Sequence, residues 1–418
     1  MTWENAELSL IAEIGDGAHA SLKRVKSGIP YLTAKNITKN GISYSNIDFI
    51  SEETYEKYFK EKSNALTKPQ KNDILYSIIG SIGGVYCVKD EKIGISSSVA
   101  IIRANSELIF PQYLAYFLKS KFFEAQVQAI KGGVAQGFMS IEKLKNVNIL
   151  YPKNLDYQAK IVSILSAYDD LIENNQKQIK LLEEAAQRLY KEWFVDLRFP
   201  GYETTPIIDG VPEGWTKKSV DNSLEMYIGG GWGKEVPTIN NVIAGKVIRG
   251  TDISDIKAGN FKYVPLRYHT KNDISKRNLQ KYDIVFELSN GNINNIGRSI
   301  LIDDFILKKC GENTICASFC KLFRPLDKVH SLILYCEIQD MQNSGRMLPF
   351  KKQGSNGINN FAFEEFLNHE FLVSNVEEFI KPIDNIINLI SFLQNKVSEL
   401  IEARDRLLPK LMNGELEV

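Results

Sequence analysis

Two short segments combine glycine with polar side chains, KGGVAQGFMS at 131–140 and KKQGSNGINN at 351–360. The first offers Lys131, Gln136 and Ser140; the second offers Lys351, Lys352, Gln353, Ser355, Asn356 and Asn359. An amide side chain presents a donor beside an acceptor, which suits the edge of a base. Lys and Ser suit phosphate oxygens, and glycine lets the backbone come close. That is chemistry of recognition, not of bond-making. A second set of the same residue types comprises Lys23, Arg24 and Lys26 before Gly28, then Lys35 and Asn36, and further on Arg249, Asn290, Asn292, Asn294 and Arg298. Each also has a plain reading as a turn or a surface charge.

Catalytic signatures are missing from the sequence. There is no Gly-x4-Gly-Lys-Ser/Thr loop, no HExxH, no G-x-S-x-G elbow, and no Asn/Asp-Pro-Pro-aromatic run to hold a flipped adenine. His19, His269, His330 and His369 are scattered, without a consistent Asp or Cys companion, and are expected at the surface or hydrogen-bonded in place. GGGWG at 229–233 and GSIGG at 80–84 lack a strand-then-helix context and are expected as turns at strand ends rather than phosphate cradles. Cys87, Cys310, Cys316, Cys320 and Cys336 are odd in number and irregularly spaced, so buried free thiols are expected and zinc is not.

With 418 residues, 44% of them hydrophobic and 24% charged, the chain can bury two sizeable cores. Met1-Thr2-Trp3-Glu4 shows no basic, apolar leader and no run is long enough to span a bilayer, so the expected address is the cytoplasm. A net charge of zero argues, taken alone, against a nucleic-acid binder. Its distribution is uneven, though: the helical segments are weakly acidic and the remainder weakly basic.

The elements that must position these residues are two long helices. In 156–194 apolar residues recur at alternating spacings of four and three: Ile161, Leu165, Tyr168, Ile172, Ile179, Leu182, Ala186, Leu189 and Trp193, with Asn175 the one interruption. This narrow seam needs another helix against it. A shift of 218 residues lands on one, through Phe379, Ile383, Ile386, Ile390, Leu393, Val397, Leu400, Leu407 and Leu411, with Arg404 where Ala186 would stand. EAAQRLYKEWF at 184–194 also matches EARDRLLPKLM at 402–412. Asn175 is expected either to fix the register or to leave a gap in the seam, and Arg404 to snorkel. The second helix is expected to begin near Ser374 or at Pro382.

The segments between are related too. KNDILYS at 71–77 parallels KYDIVFE at 281–287, SSVAIIR at 97–103 parallels ASFCKLFR at 317–324, and Trp3 parallels Trp215. Short β-branched runs at 74–79, 85–88 and 99–102, with helical patterns at 111–130, predict a mixed α/β globule for 1–154. A Pro/Gly-punctuated linker follows Pro200, and 200–373 retraces the globule. The expected fold is a duplicated α/β (α+β) chain: globule 1–154, helix 155–199, globule 200–373, helix 374–418. The helices would pair as an antiparallel coiled coil and relate the repeats by a pseudo-two-fold axis.

This order resembles the specificity subunit of type I restriction-modification systems. The resemblance rests on the helices at 155–194 and 374–412, WFVDLRFPG at 193–201, PEGW at 212–215 and the paired Gly-rich loops before each helix. It implies that each globule is a target-recognition domain reading half of a bipartite DNA sequence, that the loops at 131–140 and 351–360 face DNA, and that the helices set the gap. It also implies two modification subunits and restriction subunits as partners, carrying S-adenosylmethionine and ATP with magnesium, with no cofactor in this chain. The rival expectations are a coiled-coil adaptor that recruits partners without reading DNA and, less favoured, a self-sufficient methyltransferase or nuclease.

Overall fold

Strand pairing repeats itself along the chain. A computed structural model describes residues 2–38, 41–44, 47–61, 66–80, 82–131, 138–354, 357–374 and 376–418. It divides into two compact units, one of residues 1–169 with 402–418, the other of 170–401. In the first unit a four-stranded antiparallel sheet runs in the order Ala12–Asp16, Val99–Ala104, Ile74–Ser77, Val85–Cys87. In the second the order is Leu224–Gly229, Cys320–Pro325, Ile284–Glu287, Ser299–Leu301, again antiparallel. Each unit adds a three-stranded sheet with one parallel pair. In the first, Ile29–Leu32 lies between Asp48–Ile50 and Gly94–Ile95; in the second, Ile243–Ile248 lies between Leu266–His269 and Ile315–Cys316. Each unit also has an antiparallel pair, Trp3–Glu7 with Asn148–Pro152 and Thr216–Ser219 with Glu370–Val373.

The strands read as unbroken apolar runs because both faces of each sheet are covered. Ile74, Tyr76, Ala100 and Ile102 enter one core of the first unit, while Leu75, Val99 and Ile101 enter the other. The second unit divides in the same way, with Ile284, Phe286 and Phe323 on one side and Val285, Leu322 and Cys320 on the other.

One ionic pin recurs in both sheets. Asp73 takes two hydrogen bonds from Arg103, at 2.8 and 2.7 Å, and Asp283 takes two from Arg324, at 2.9 and 2.7 Å. Both carboxylates are buried, and each also caps the turn before it by accepting from the Gln70 or Gln280 backbone N–H. The residue just ahead, Asn72 or Tyr282, has φ of 70° or 72°, so the turn enters its strand through the left-handed region.

The long helices are Leu155–Tyr190 and Glu377–Met412. Asn154 caps the first, its Oδ1 accepting from Tyr157 N at 3.0 Å. A π turn, Lys191–Val195, ends it and puts Trp193 and Phe194 in one aromatic cluster with Trp215 and Phe379. Pro382 lies inside the second helix, which begins at Glu377. The lost bond is the one its missing N–H would have made to Glu378, one turn in from the helix start.

Within each unit the helix segments pack antiparallel. In the first, Ile161 and Leu165 share a core with Leu411, and Leu407 packs against it. In the second, Ile172 and Ile179 cluster with Leu393 and Val397, flanked by Leu182, Ile390, Leu400 and Ile401. Ala186 and Trp193 join Phe379 and Ile383, with Leu189 and Ile386 packed alongside. Tyr168 is half-buried. Half-buried Asn175 bonds along its own helix, its Nδ2 donating to Leu171 O at 2.7 Å. Arg404 does not snorkel; it is held by Asp169 at 2.7 Å and by Asp405.

Candidate nucleic-acid interface

Antiparallel register sends several loops out of the same end of each four-stranded sheet. In the first unit Asp16 lies opposite Ala100 and Ser77 opposite Val99, so the segments after Asp16 and after Ser77 leave side by side. Met139 N donates to Ile78 O at 2.8 Å, and Phe138 bridges to Ile79, which brings the C-terminal part of the 131–140 segment to that end. The second unit repeats this. Gly229 lies opposite Lys321 and Glu287 opposite Cys320. Ser289–Asn290 pairs with Asn359–Phe361, which pairs with Lys351–Lys352. The hairpin chosen from sequence thus stands beside the Asn-rich turn at 289–298.

Two glycines make these exits possible. A Cβ on Gly17 would lie 2.2 Å from Ile95 O, and one on Gly230 would lie 2.1 Å from Ala317 O. Each follows the first strand of its sheet, and no side chain fits in so close a backbone approach. GGGWG is therefore a strand end with tight backbone packing, and no helix follows to make it a phosphate cradle.

The polar residues singled out in the sequence divide by exposure. Lys35, Lys352 and Gln353 are exposed, with Lys352 Nζ 3.4 Å from Glu365. Lys351 is half-buried, its Nζ 3.5 Å from Asn294 O, and burial pulls its ammonium pKa below the usual lysine range. Others spend their hydrogen bonds on their own chain. Buried Asn36 accepts from Thr33 N and Oγ1, both at 3.0 Å, and donates to Ser43 O. Buried Asn359 donates to Asn290 O and Gly291 O, tying the hairpin to the neighbouring turn. Asn292 caps a turn by accepting from Asn294 N, and Ser140 caps a helix by accepting from Lys143 N. Arg249 binds both oxygens of Asp252 and also Tyr263 O. Arg298 binds Glu287, Gly250 O and Ser254 Oγ. Lys131 closes the helix Lys121–Lys131, while Gln136, Ser355 and Asn356 lie outside the described residues.

At the end of the central strand the two units differ in kind. Ser77 Oγ accepts from Gly84 N at 2.7 Å; the matching Glu287 is a buried carboxylate that meets Arg298 and Asn290. The segment 231–242 beyond GGGWG has no pattern that marks it in the sequence, whereas both Asp–Arg pins lie within the parallel segments at 71–77 with 97–103 and 281–287 with 317–324. Three of the four histidines have carboxylate companions, His19 with Asp16, His330 with Asp327 and His369 with Glu337, while buried His269 has none among the described residues. The five cysteines are free thiols, all buried except half-buried Cys87, and among the described residues no His/Cys/Asp/Glu group could hold a metal.

Fold and site define a chain of two compact units with the same sheet order, each bringing sequence-distant loops to one sheet end. Residues 1–184 match the type I restriction modification DNA specificity domain. The whole chain is 24% identical to the MjaIX specificity subunit of Methanocaldococcus jannaschii, over 94% of that protein. It is 30% identical to the HindI specificity subunit of Haemophilus influenzae over 134 residues, 28% of that relative. A crystal structure of the type I S subunit from M. genitalium shares the fold, with a TM-score of 0.50 at 14% identity, covering 98% of this chain and 96% of that one. The chain is thus similar along its whole length to specificity subunits of type I restriction-modification systems, as its sequence pattern leads one to expect.

Proposed function

We propose that this chain is the DNA-recognition subunit of a type I restriction-modification complex. Each globule offers its sheet-end loops to half of a bipartite duplex target, and the paired helices set the gap. The observation that carries this reading is the repeated juxtaposition: in both units one sheet end gathers sequence-distant loops over the same backbone frame. Rigid sheets with variable loops at one edge suit a protein whose target changes while its fold does not. Each helix of 36 residues rises about 54 Å, more than one DNA turn of about 34 Å.

The chain would supply recognition while its partners supply chemistry: two modification subunits with S-adenosylmethionine, and restriction subunits with ATP and magnesium. Such a complex would work in the cytoplasm. No helix among the described residues is long and apolar enough to cross a membrane. The adaptor reading finds no support, because the relatives along this chain are specificity subunits.

DNA retention by the chain assembled with its modification subunits tests the loop assignment. Lys351→Ala should weaken binding to every duplex and reduce the slope of affinity against salt by about one. Gln353→Ala should relax a single base position, by about 1–3 kcal/mol. Retention unchanged by both would remove the 351–360 hairpin from the interface.

A further inference from the structure

The segment 231–242 leaves the second unit's sheet end directly after Gly230, as 18–28 leaves the first unit's after Gly17. The two have opposite character. The first carries Lys23, Arg24 and Lys26, whereas the second has one lysine and one glutamate, Lys234 and Glu235, and exposes Val236, Ile239 and Val242.

Polar bonds hold the second segment in place while its apolar residues stay unpacked. Lys234 and Tyr268 exchange two backbone hydrogen bonds of 2.9 Å, and Asn241 Nδ2 donates to Tyr268 O at 3.3 Å. Arg267 stacks 4.7 Å over the Trp232 ring and pairs with Glu235 at 3.1 Å. At the tip Thr238 N donates to Asn241 O at 3.1 Å, and Asn241 N to Thr238 Oγ1 at 3.2 Å, closing a turn around Ile239 and Asn240. Ile239 is 98% exposed. Nothing in the fold gains from that side chain.

Resting on the DNA-recognition reading, we propose that Ile239 is a specificity residue of the second globule, making an apolar contact with a thymine methyl group in the major groove. The tip has no cation of its own, so phosphate is a poor match. The C5 methyl is the apolar group on the major-groove edge of the bases, and the amide of Asn240 beside Ile239 matches the donor and acceptor of a neighbouring adenine, while Asn241 spends its own amide on Tyr268 O and Thr238 Oγ1. The first globule's cationic segment would instead hold backbone.

The test uses the chain assembled with its modification subunits and the duplex that this complex methylates. Thymines of each half-site are replaced one at a time by deoxyuridine, which lacks the methyl. One replacement should weaken retention roughly fourfold, the value of one buried methyl-sized group. Ile239→Ala should lose about as much on the normal duplex and nothing further on that one deoxyuridine probe. Ile239→Ala retention equal to wild type on every probe would overturn the inference, as would losses that simply add, or a variant that sheds its modification subunits and so marks the tip as a protein contact. A wild-type complex that methylates no split sequence would defeat the underlying reading, and this inference with it.

Discussion

In the first unit the globule meets the long helices through a half-exposed ion pair. The Tyr116 hydroxyl donates to one Asp169 oxygen at 2.7 Å, and Arg404 donates to the other at 2.7 Å, with the side chains of Asp169 and Arg404 31% and 24% exposed. The second unit makes its joint in the interior. Glu337, 3% exposed, accepts from the Tyr190 hydroxyl at 2.8 Å and from Arg346 at 2.9 Å, and lies 2.7 Å from His369 Nε2. Sheet order and the Asp–Arg pin are common to both units, so duplication preserved the frame while each joint was solved separately. A charge pair near water contributes little, whereas a buried carboxylate holds three partners at once, of which Arg346 alone has a second carboxylate, Asp340 at 2.6 Å.

The largest effect should come from removing the buried carboxylate. Glu337→Ala leaves Arg346, His369 and Tyr190 without it and should cost the second unit about 3–5 kcal/mol, against about 1 kcal/mol in the first unit for Asp169→Ala. Hydrogen exchange on the full chain separates the units; equal losses would mean that the two joints are equivalent. The pins should behave alike, Asp73→Ala and Asp283→Ala each costing about 2–4 kcal/mol in their own unit. A pin that matters in one unit alone would mean that the shared frame is less equivalent than its topology.

Acid should also distinguish the joints. Burial pushes the Glu337 carboxyl up, but hydrogen bonds from His369 and Arg346, the Arg346 charge and the Tyr190 hydroxyl outweigh it and hold the pKa down to about 2, from an ordinary 4.5. A carboxyl depressed on folding stabilises fully above its unfolded pKa and progressively less as pH falls through its folded one. The second unit should therefore lose on the order of 2–3 kcal/mol between pH 5 and pH 2 that Glu337→Gln does not lose. Denaturation profiles that run parallel for the two proteins would contradict this. The smallest effect is a gain: Asn175→Leu replaces a half-buried amide bonded to its own helix and should stabilise the second unit by about 0.5–1 kcal/mol, seen as a higher melting temperature. A loss would show that the amide serves the seam.

Much of this was legible in the residues. The seams through Ile172, Ile179, Leu393 and Val397 needed each other, and the parallel segments around Asp73 and Asp283 already contained the pin. Asn36, Asn359 and Arg298 were harder, because amides and guanidinium groups satisfy their own backbone as readily as a ligand, and only packing tells which they do. Glu377 as the helix start was ambiguous for a related reason: a proline near a first turn costs one hydrogen bond, which the aromatic cluster around Phe379 offsets. The tip at Ile239 carried no signal, since exposure is a property of the fold.

If two globules read two half-sites, the helices fix the spacing between them. Expressing the chain with its modification subunits and mapping methylated adenines across a genome tests it directly. The expected result is one split sequence, two specified parts around an unspecified gap of constant length; methylation at a continuous sequence, or at none, would rule out two half-site readers.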